Sequence, residues 1–208
     1  MRMTEIVSGI YSLEIPFEAV YTTVFFVETD EGVVMVDCAS YDTDVDEYIL
    51  PFLKKRGMAD RLCGLVLTHS HLDHAGGAPR LSEVYPRLPV YAFEPMPIAT
   101  FRSISDGEVL FDRLQVIHLP GHTLYSVGYL DLMTDTLLTG DCLQLRGVGK
   151  YVNGVKYPEL YRKSLDKLRR MMPTRLIASH DYVPLGSIAE GESAVRRYLD
   201  ECENALTC

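Results

Sequence analysis

The sequence predicts an α/β (α+β) fold in which two β-sheets pack together and helices cover both outer faces, giving a four-layer sandwich. Both halves of the chain carry strand-like runs followed by helical runs, an order that favours sheets covered by helices. With 208 residues, of which 47% are hydrophobic, the chain can bury one sizeable core. Because no stretch is rich enough in Pro, Gly or Ser to mark a linker, we expect one domain over residues 1–208.

The first half begins with an antiparallel meander of three strands. Turn residues join these strands at 16–20, an expected exposed loop, and at 29–32. Between residues 44 and 56 the apolar positions have helical spacing, and Pro51 predicts a kink or a broken start there. Two further strand runs flank another helix. The predicted strands of this half span 10–15, 21–27, 33–37, 64–68 and 89–93, and the predicted helices span 44–56 and a segment through Leu81 and Val84.

The second half repeats the pattern from about residue 106. Four strand-like runs are separated by turn residues and are followed by a helix, a buried strand and a terminal amphipathic helix. The predicted strands span 108–112, 114–119, 127–132, 136–139 and 175–179. The predicted helices span 158–172 and a terminal segment with Val195, Tyr198, Leu199, Cys202 and Leu206 on its apolar face.

Composition and charge argue against several classes of function. The formal net charge of -9 repels polyanions, and no basic block with interleaved aromatic residues occurs, so we expect no nucleic-acid partner. No run is long and apolar enough to span a bilayer and the N-terminus lacks a secretory signal, so we expect a cytoplasmic protein without membrane contact. The five cysteines contain no Cys-x-x-Cys pair, which predicts reduced thiols.

One short loop concentrates residues that bind metals. Residues 68–77 form the sequence Thr-His-Ser-His-Leu-Asp-His-Ala-Gly-Gly, with three histidines and one aspartate within six positions. These four are His69, His71, Asp73 and His74. Because they lie between a strand and the start of a helix, their side chains can converge on one point. Neutral imidazole and carboxylate are preferred ligands of zinc and of non-haem iron or manganese, so the loop predicts a metal site.

Three polar residues follow strand-like runs in the second half: His122, Asp141 and His180. Strand ends can share one edge of a sheet sandwich, so we expect these residues to meet the histidine loop there. Together they would supply seven ligands for two ions, with Asp141 best placed to bridge. Two metals about 3.5 to 4 Å apart can share a hydroxide that is a strong nucleophile at neutral pH. His118 lies inside a strand run and is expected to pack or to face water.

The ligand set, in this order along the chain, resembles the metallo-β-lactamase superfamily over essentially the whole sequence. The resemblance implies an αββα sandwich with a di-metal centre at its edge. One ion would be held by His69, His71 and His122, and the other by Asp73, His74 and His180, with Asp141 bridging.

Asp37 closes an apolar strand, where a carboxylate is either a solvated cap or a partner that holds a nearby histidine. The resemblance implies the second role, since Asp37 matches the strand-end aspartate of the superfamily. The glycine that often follows two residues later is Ala39 in this chain, so the backbone is expected to differ there.

A closer likeness is to the glyoxalase II group of thioester hydrolases. Segments 68–77, 139–143, 147–151 and 179–182 are similar to its signatures. The likeness implies that Lys150 binds the anionic part of the substrate, and the loop tyrosines Tyr151 and Tyr182 are candidates to line a pocket. Only 28 residues follow His180 and Val152 replaces a binding tyrosine, so glutathione is not assured as the carrier.

The sequence therefore predicts a hydrolase that uses two divalent ions, zinc first and iron or manganese as alternatives, to cleave a thioester, lactone or other ester-like bond of a small molecule. The metals would polarise the carbonyl and supply hydroxide, which Asp73 would orient, or Asp73 would carry a proton to the leaving group. The alternative is an oxidoreductase similar to sulfur dioxygenases, with a single iron at His69, His122 and Asp141. A nuclease is disfavoured by the acidic charge, and a non-catalytic binding protein by the complete ligand set.

Overall fold

The computed structural model describes residues 3–147 and 154–206. The chain divides into two compact units, Met1–Ile104 and Ser105–Cys208, and each contains one mixed β-sheet with its own helices. Lys150 and Tyr151 lie outside the described residues, and the single domain over residues 1–208 stays a prediction. None of the described helices combines the length and the apolar character that a membrane crossing requires.

The first unit contains a seven-stranded sheet in the order β1 to β7. Its strands are β1 Met3–Val7, β2 Ile10–Phe17, β3 Val20–Thr29, β4 Gly32–Val36, β5 Leu62–Val66, β6 Val90–Ala92 and β7 Phe101–Ser103. The strands β1 to β4 pair antiparallel, which confirms the predicted meander, and β4 to β7 pair parallel. The sequence patterns missed β1 and β7, two short edge strands.

The loop between β2 and β3 is shorter than predicted. Pro16 pairs with Tyr21 and Phe17 with Val20, so only Glu18 and Ala19 form the turn. Glu18 has φ +50, the left-handed conformation that tight two-residue hairpins require. Cross-strand pairing therefore continues through a segment whose proline suggested a loop.

A composite helix follows β4, and it is irregular next to Pro51. It consists of α1 Asp42–Asp44, a π-helical turn at Val45–Ile49, and α2 Leu50–Lys55. Pro51 lies in the first turn of α2, directly after the π-helical turn. The backbone stays helical through Ile49 and Leu50, so the kink or broken start stays a prediction. Phe52 of α2 stacks on Phe26 of β3 with ring centroids 4.3 Å apart. This contact packs the helix onto the sheet of the first unit. The unit's other helices are a 3₁₀ turn at Ala59–Arg61, α3 Leu72–Ala75 and α4 Ala78–Val84.

The second unit contains a six-stranded sheet in the order β13-β12-β11-β10-β9-β8. The strands are β8 Val109–Leu110, β9 Leu114–His118, β10 Val127–Asp131, β11 Thr136–Gly140, β12 Arg175–Tyr182 and β13 Gly186–Glu190. Only β11 and β12 pair parallel; the other neighbours pair antiparallel. The predicted strand at 108–112 is shorter because Phe111 and Asp112 take positive φ values of +54 and +51, and β13 was not predicted.

Two helices of the second unit bury the apolar faces that their sequence spacing predicted. They are α5 Pro158–Met171, which ends at a left-handed Met172, and α6 Glu192–Asn204. Leu165 and Leu168 of α5 and Val195 and Leu199 of α6 are fully buried. The last predicted strand, 175–179, is longer in the structure. It extends to Tyr182 as β12, so His180 lies within the strand rather than after it. Pairing of Tyr182 with Gly186 produces this extension.

Candidate functional site

The first unit brings together the four predicted ligands of the histidine loop. The loop leaves β5 and enters α3, whose N-cap is His71. The His69 ring centroid lies 4.6 Å from that of His71 and 4.2 Å from that of His74. His74 Nε2 lies 3.4 Å from Asp73 Oδ2. Three imidazoles and one carboxylate therefore converge at the end of one strand, as the spacing predicted.

Asp37 orients two of these histidines from a fully buried position. Its carboxylate accepts hydrogen bonds from the Thr68 amide at 2.8 Å, from the Thr68 hydroxyl at 2.8 Å and from His74 Nδ1 at 2.7 Å. Because the Thr68 proton points to Asp37, the Thr68 oxygen accepts from His69 Nδ1 at 3.1 Å. Both imidazoles thus carry their proton on Nδ1, which leaves Nε2 as the ligand atom. Asp37 is a buried hydrogen-bond partner, not a solvated cap.

Asp73 has a partner that the sequence did not indicate. The hydroxyl of Thr22 on β3 donates to Asp73 Oδ2 at 3.0 Å. A threonine in a strand rich in β-branched and aromatic residues carries no local signal of such a role. The bond orients the carboxylate that is predicted to bind metal and either to direct the hydroxide or to carry a proton.

Gly76 and Gly77 are required because another segment of the backbone passes against them. A Cβ on Gly76 would lie 2.0 Å from the Ser40 carbonyl oxygen, and one on Gly77 would lie 2.2 Å from that of Cys38. The Cys38 amide also donates to the His74 carbonyl at 2.7 Å. In the same segment Ala39 has φ +61, a conformation that favours glycine and is strained for alanine. The segment after β4 therefore supports the histidine loop directly.

Replacing Gly76 with alanine is expected to lower the free energy of unfolding by about 1–3 kcal/mol or more, the usual cost of overpacking. Gly76 has φ -64 and ψ -30, helical values at which alanine would otherwise stabilise by about 0.4–1 kcal/mol, so a loss reports the overlap with Ser40. Urea unfolding measures it. Gly57→Ala is the control, because a Cβ there meets nothing within 4 Å and only its φ of +67 adds strain. A Gly76→Ala protein as stable as the wild type would contradict the close approach.

The second unit brings together the other three predicted ligands. His122 follows β9, Asp141 follows β11 and His180 lies in β12. His180 Nε2 lies 3.2 Å from Asp141 Oδ1, and His122 Nε2 lies 3.6 Å from Asp141 Oδ2. All three residues are buried. One carboxylate therefore presents a different oxygen to each imidazole, the arrangement expected of a carboxylate that can bridge two ions.

The remaining ring nitrogen of His122 is engaged by backbone. His122 Nδ1 donates to the Gly154 carbonyl at 2.9 Å, which directs Nε2 toward Asp141. The Tyr182 hydroxyl donates to Asp141 Oδ1 at 3.1 Å. Burial, and then the charge of Asp141, raise the pKa of Tyr182 well above its usual value, so the hydroxyl stays a donor. The Tyr182 ring is buried and its hydroxyl contacts Asp141, a predicted metal ligand. A contact between Tyr182 and substrate stays a prediction.

Gln144 was missed by the sequence analysis. Its buried side chain contacts Asp141, Tyr182 and Gly154. The one signal available was a polar residue between two leucines, Leu143 and Leu145, both of which are buried. His118, which was predicted to pack or to face water, lies half-buried in β9, and its Nε2 donates to the Leu124 carbonyl at 2.9 Å.

The donor atoms of both groups suit a divalent transition metal. Imidazole nitrogen and carboxylate oxygen are ligands that zinc, iron and manganese accept. Three of the histidines, His69, His74 and His122, have Nδ1 held by an oxygen atom of the protein. This hydrogen bond to the second nitrogen is the usual support of a metal-binding histidine. The chemistry of the two groups therefore fits bound metal.

Comparison with known proteins identifies relatives among hydrolases. The model of the Metallo-beta-lactamase superfamily matches residues 18–92. A hydroxyacylglutathione hydrolase of Xylella fastidiosa (strain M23) is 36% identical over 138 residues, which are 64% of this chain and 52% of the relative. One of Vibrio campbellii is 30% identical over 174 residues, 79% of this chain and 67% of the relative. The chain thus spans about half the length of the first relative.

Solved structures confirm the predicted fold class. DIM-1 metallo-beta-lactamase superposes with a TM-score of 0.77 at 18% identity, covering 98% of this chain and 97% of that one. The protein TTHA1623, solved in a di-iron-bound form, superposes with a TM-score of 0.69 at 25% identity, covering 89% of this chain and 98% of that one. The two mixed sheets with helices are thus an α/β architecture shared with metallo-β-lactamases.

Proposed function

This chain belongs to the metallo-β-lactamase superfamily, and from that membership we propose that it is a metal-dependent hydrolase of a thioester, lactone or other ester-like bond in a small molecule. The observation that carries the proposal is the complete set of seven ligand-type side chains, three of whose imidazoles have Nδ1 engaged by protein oxygen. Retention of the supporting hydrogen bonds together with the ligands favours a working metal site over a retired scaffold.

We assign the ligands to two divalent ions, zinc first. One ion would be held by His69, His71 and His122, the other by Asp73, His74 and His180, with Asp141 bridging. The position of Asp141 supports its bridging role, because each of its oxygens lies within 4 Å of a different imidazole nitrogen. Iron is the alternative metal for this chain, because the similar protein TTHA1623 was solved in a di-iron-bound form.

The chain's own residues would orient the reactants and move a proton. When bound, the metal ions would polarise the carbonyl of the substrate and supply hydroxide at neutral pH. Asp73, whose carboxylate is oriented by the Thr22 hydroxyl, would direct the nucleophile or pass a proton to the leaving group. Asp37 would keep His69 and His74 in the tautomer that binds metal.

Thioesters are the first substrates to test, because the relatives with 30–36% identity over most of this chain are named hydroxyacylglutathione hydrolases. Lactones come next, as ester-like bonds that the same chemistry would open. Lys150 stays a candidate for the anionic part of the substrate, and Tyr151 and Tyr182 for its pocket. The cytoplasmic location and the absence of nucleic-acid partners stay predictions.

Elemental analysis of the purified chain, with no metal added, tests the proposal. We expect about two ions per chain, mostly zinc or a mixture of zinc and iron, because seven ligands suffice for two ions with one bridge. Chelation should abolish hydrolysis of a thioester and lactone panel, and added zinc should restore it. A single iron per chain with oxygen uptake on a persulfide would instead support the dioxygenase alternative. A chain without metal would contradict both.

A further inference from the structure

We propose that Gln144 is a positioning residue that orients both Asp141 and His122 toward the metal ions. The inference rests on the proposed function, because it takes these two residues to be ligands. Gln144 has a buried side-chain amide and is not one of the predicted metal ligands. Two separate chains of hydrogen bonds connect this amide to Asp141 and to His122. Removing one side chain should therefore disturb metal binding from two directions.

The first route leads to Asp141. Gln144 Nε2 donates to the Asp141 backbone carbonyl at 3.0 Å and to the Tyr182 hydroxyl oxygen at 2.9 Å, which uses both amide protons. Since the Tyr182 oxygen accepts this bond, its own proton is directed to Asp141 Oδ1 at 3.1 Å. Gln144 thus holds the backbone of Asp141 directly and its carboxylate through Tyr182.

The second route leads to His122. Gln144 Oε1 accepts from the Gly154 amide at 3.3 Å, and the Gly154 carbonyl accepts from His122 Nδ1 at 2.9 Å. The peptide unit that fixes the His122 tautomer is therefore itself held by Gln144. A Cβ added to Gly154 would lie only 3.0 Å from His122 Nδ1, so the backbone at Gly154 lies directly against the imidazole ring.

The contacts also determine which way the amide of Gln144 points. A carbonyl oxygen faces Nε2 and an N–H group faces Oε1. Exchanging the two amide atoms would set oxygen against oxygen and N–H against N–H, so the reversed orientation is excluded. The direction of every bond along both routes follows from this one orientation.

The backbone of Gln144 is anchored independently of its side chain. Its amide donates to the Tyr161 hydroxyl at 2.7 Å, and that hydroxyl donates to the Gln144 carbonyl at 3.0 Å. A change of side chain therefore leaves the path of the main chain supported. This separation makes the positioning role testable by substitution.

The test compares Gln144→Met with Gln115→Met in the 208-residue chain. Methionine keeps the length of the side chain, adds no charge and makes none of the three amide contacts. Gln115 on β9 is the matched control. Within the described part of the chain, its side chain makes one hydrogen bond, to the Gly107 carbonyl at 3.4 Å. Cobalt and zinc affinities are measured by competition with a chelator, with the visible spectrum of bound cobalt as a second readout. Urea unfolding of the metal-free proteins is the measure of the fold.

We expect Gln144→Met to weaken metal binding about 10- to 100-fold, the usual effect of removing an outer partner of a ligand, and to shift the cobalt spectrum, while Gln115→Met binds as the wild type does. Tyr182→Phe removes only the last bond to Asp141, so it should weaken binding less. The double variant should bind about as weakly as Gln144→Met alone, because the bond from Tyr182 to Asp141 belongs to the route that Gln144→Met already breaks.

Wild-type affinity in a folded Gln144→Met protein would overturn the inference and leave the proposed hydrolase intact. If Gln144→Met does not fold, wild-type affinity in Tyr182→Phe would overturn it instead. Metal binding weakened by Gln144→Met in a chain that hydrolyses none of the esters would support the positioning role and contradict the hydrolase. A wild-type chain without metal affinity would overturn both.

Discussion

Replacing Asp141 with alanine is expected to reduce hydrolysis to the level of the chelated wild type and to lower the metal content of the purified chain. Asp141 is the one residue assigned to both ions, and its oxygens lie 3.2 Å from His180 Nε2 and 3.6 Å from His122 Nε2. Its loss would remove a ligand from each proposed ion, together with the carboxylate that lies beside both imidazole nitrogens. We expect a decrease in activity beyond the roughly 100-fold that removal of an outer partner costs.

Metal analysis and the rate of hydrolysis of the best substrate measure this effect. Asp166→Ala is the matched control, since Asp166 is an exposed carboxylate of α5 that pairs with Arg169 one helical turn away, and such pairs contribute little. The metal-free forms of wild type and Asp141→Ala are compared by urea unfolding to show that the fold is retained. Full activity and full metal content in Asp141→Ala would refute the ligand assignment.

Replacing Asp37 with alanine is expected to lower the free energy of unfolding by about 3–5 kcal/mol, because each buried donor left without an acceptor costs about 1–3 kcal/mol. Three donors, namely the Thr68 amide, the Thr68 hydroxyl and His74 Nδ1, converge on this fully buried carboxylate. Alanine would leave all three without an acceptor in a place that water does not reach. Urea unfolding of the metal-free protein measures the loss, since it excludes any contribution from bound metal.

Two further variants separate the fold from the site. Asp60→Ala, in the 3₁₀ turn at Ala59–Arg61, lies in a solvent-exposed stretch and should change stability by no more than about 0.5 kcal/mol. Asp37→Asn keeps one oxygen acceptor but presents an N–H group where His74 Nδ1 now donates, which would move the His74 proton to Nε2. We expect that protein to fold and to bind metal about 10- to 100-fold more weakly. Unchanged stability in Asp37→Ala would contradict its role.

The elements that the sequence predicted best are those with strong local patterns. The meander of β2, β3 and β4 and the helices α5 and α6 follow from apolar spacing. The edge strands β1, β7 and β13 were missed, because a short strand is defined by pairing with a neighbour rather than by its own apolar pattern. His180 lies within β12 for the same reason, since pairing with β13 extends that strand.

The sequence by itself determined the ligand-type residues, because imidazole and carboxylate groups at strand ends carry their chemistry wherever the chain places them. Tertiary structure alone decided which atom of each ligand is presented. Asp37 and His74 are 37 residues apart, Thr22 and Asp73 are 51 apart, and Gln144 and Tyr182 are 38 apart. A hydrogen bond depends on distance and direction in space, and no local pattern encodes either for residues so far apart. The tautomers and carboxylate orientations on which metal binding depends are therefore properties of the folded chain.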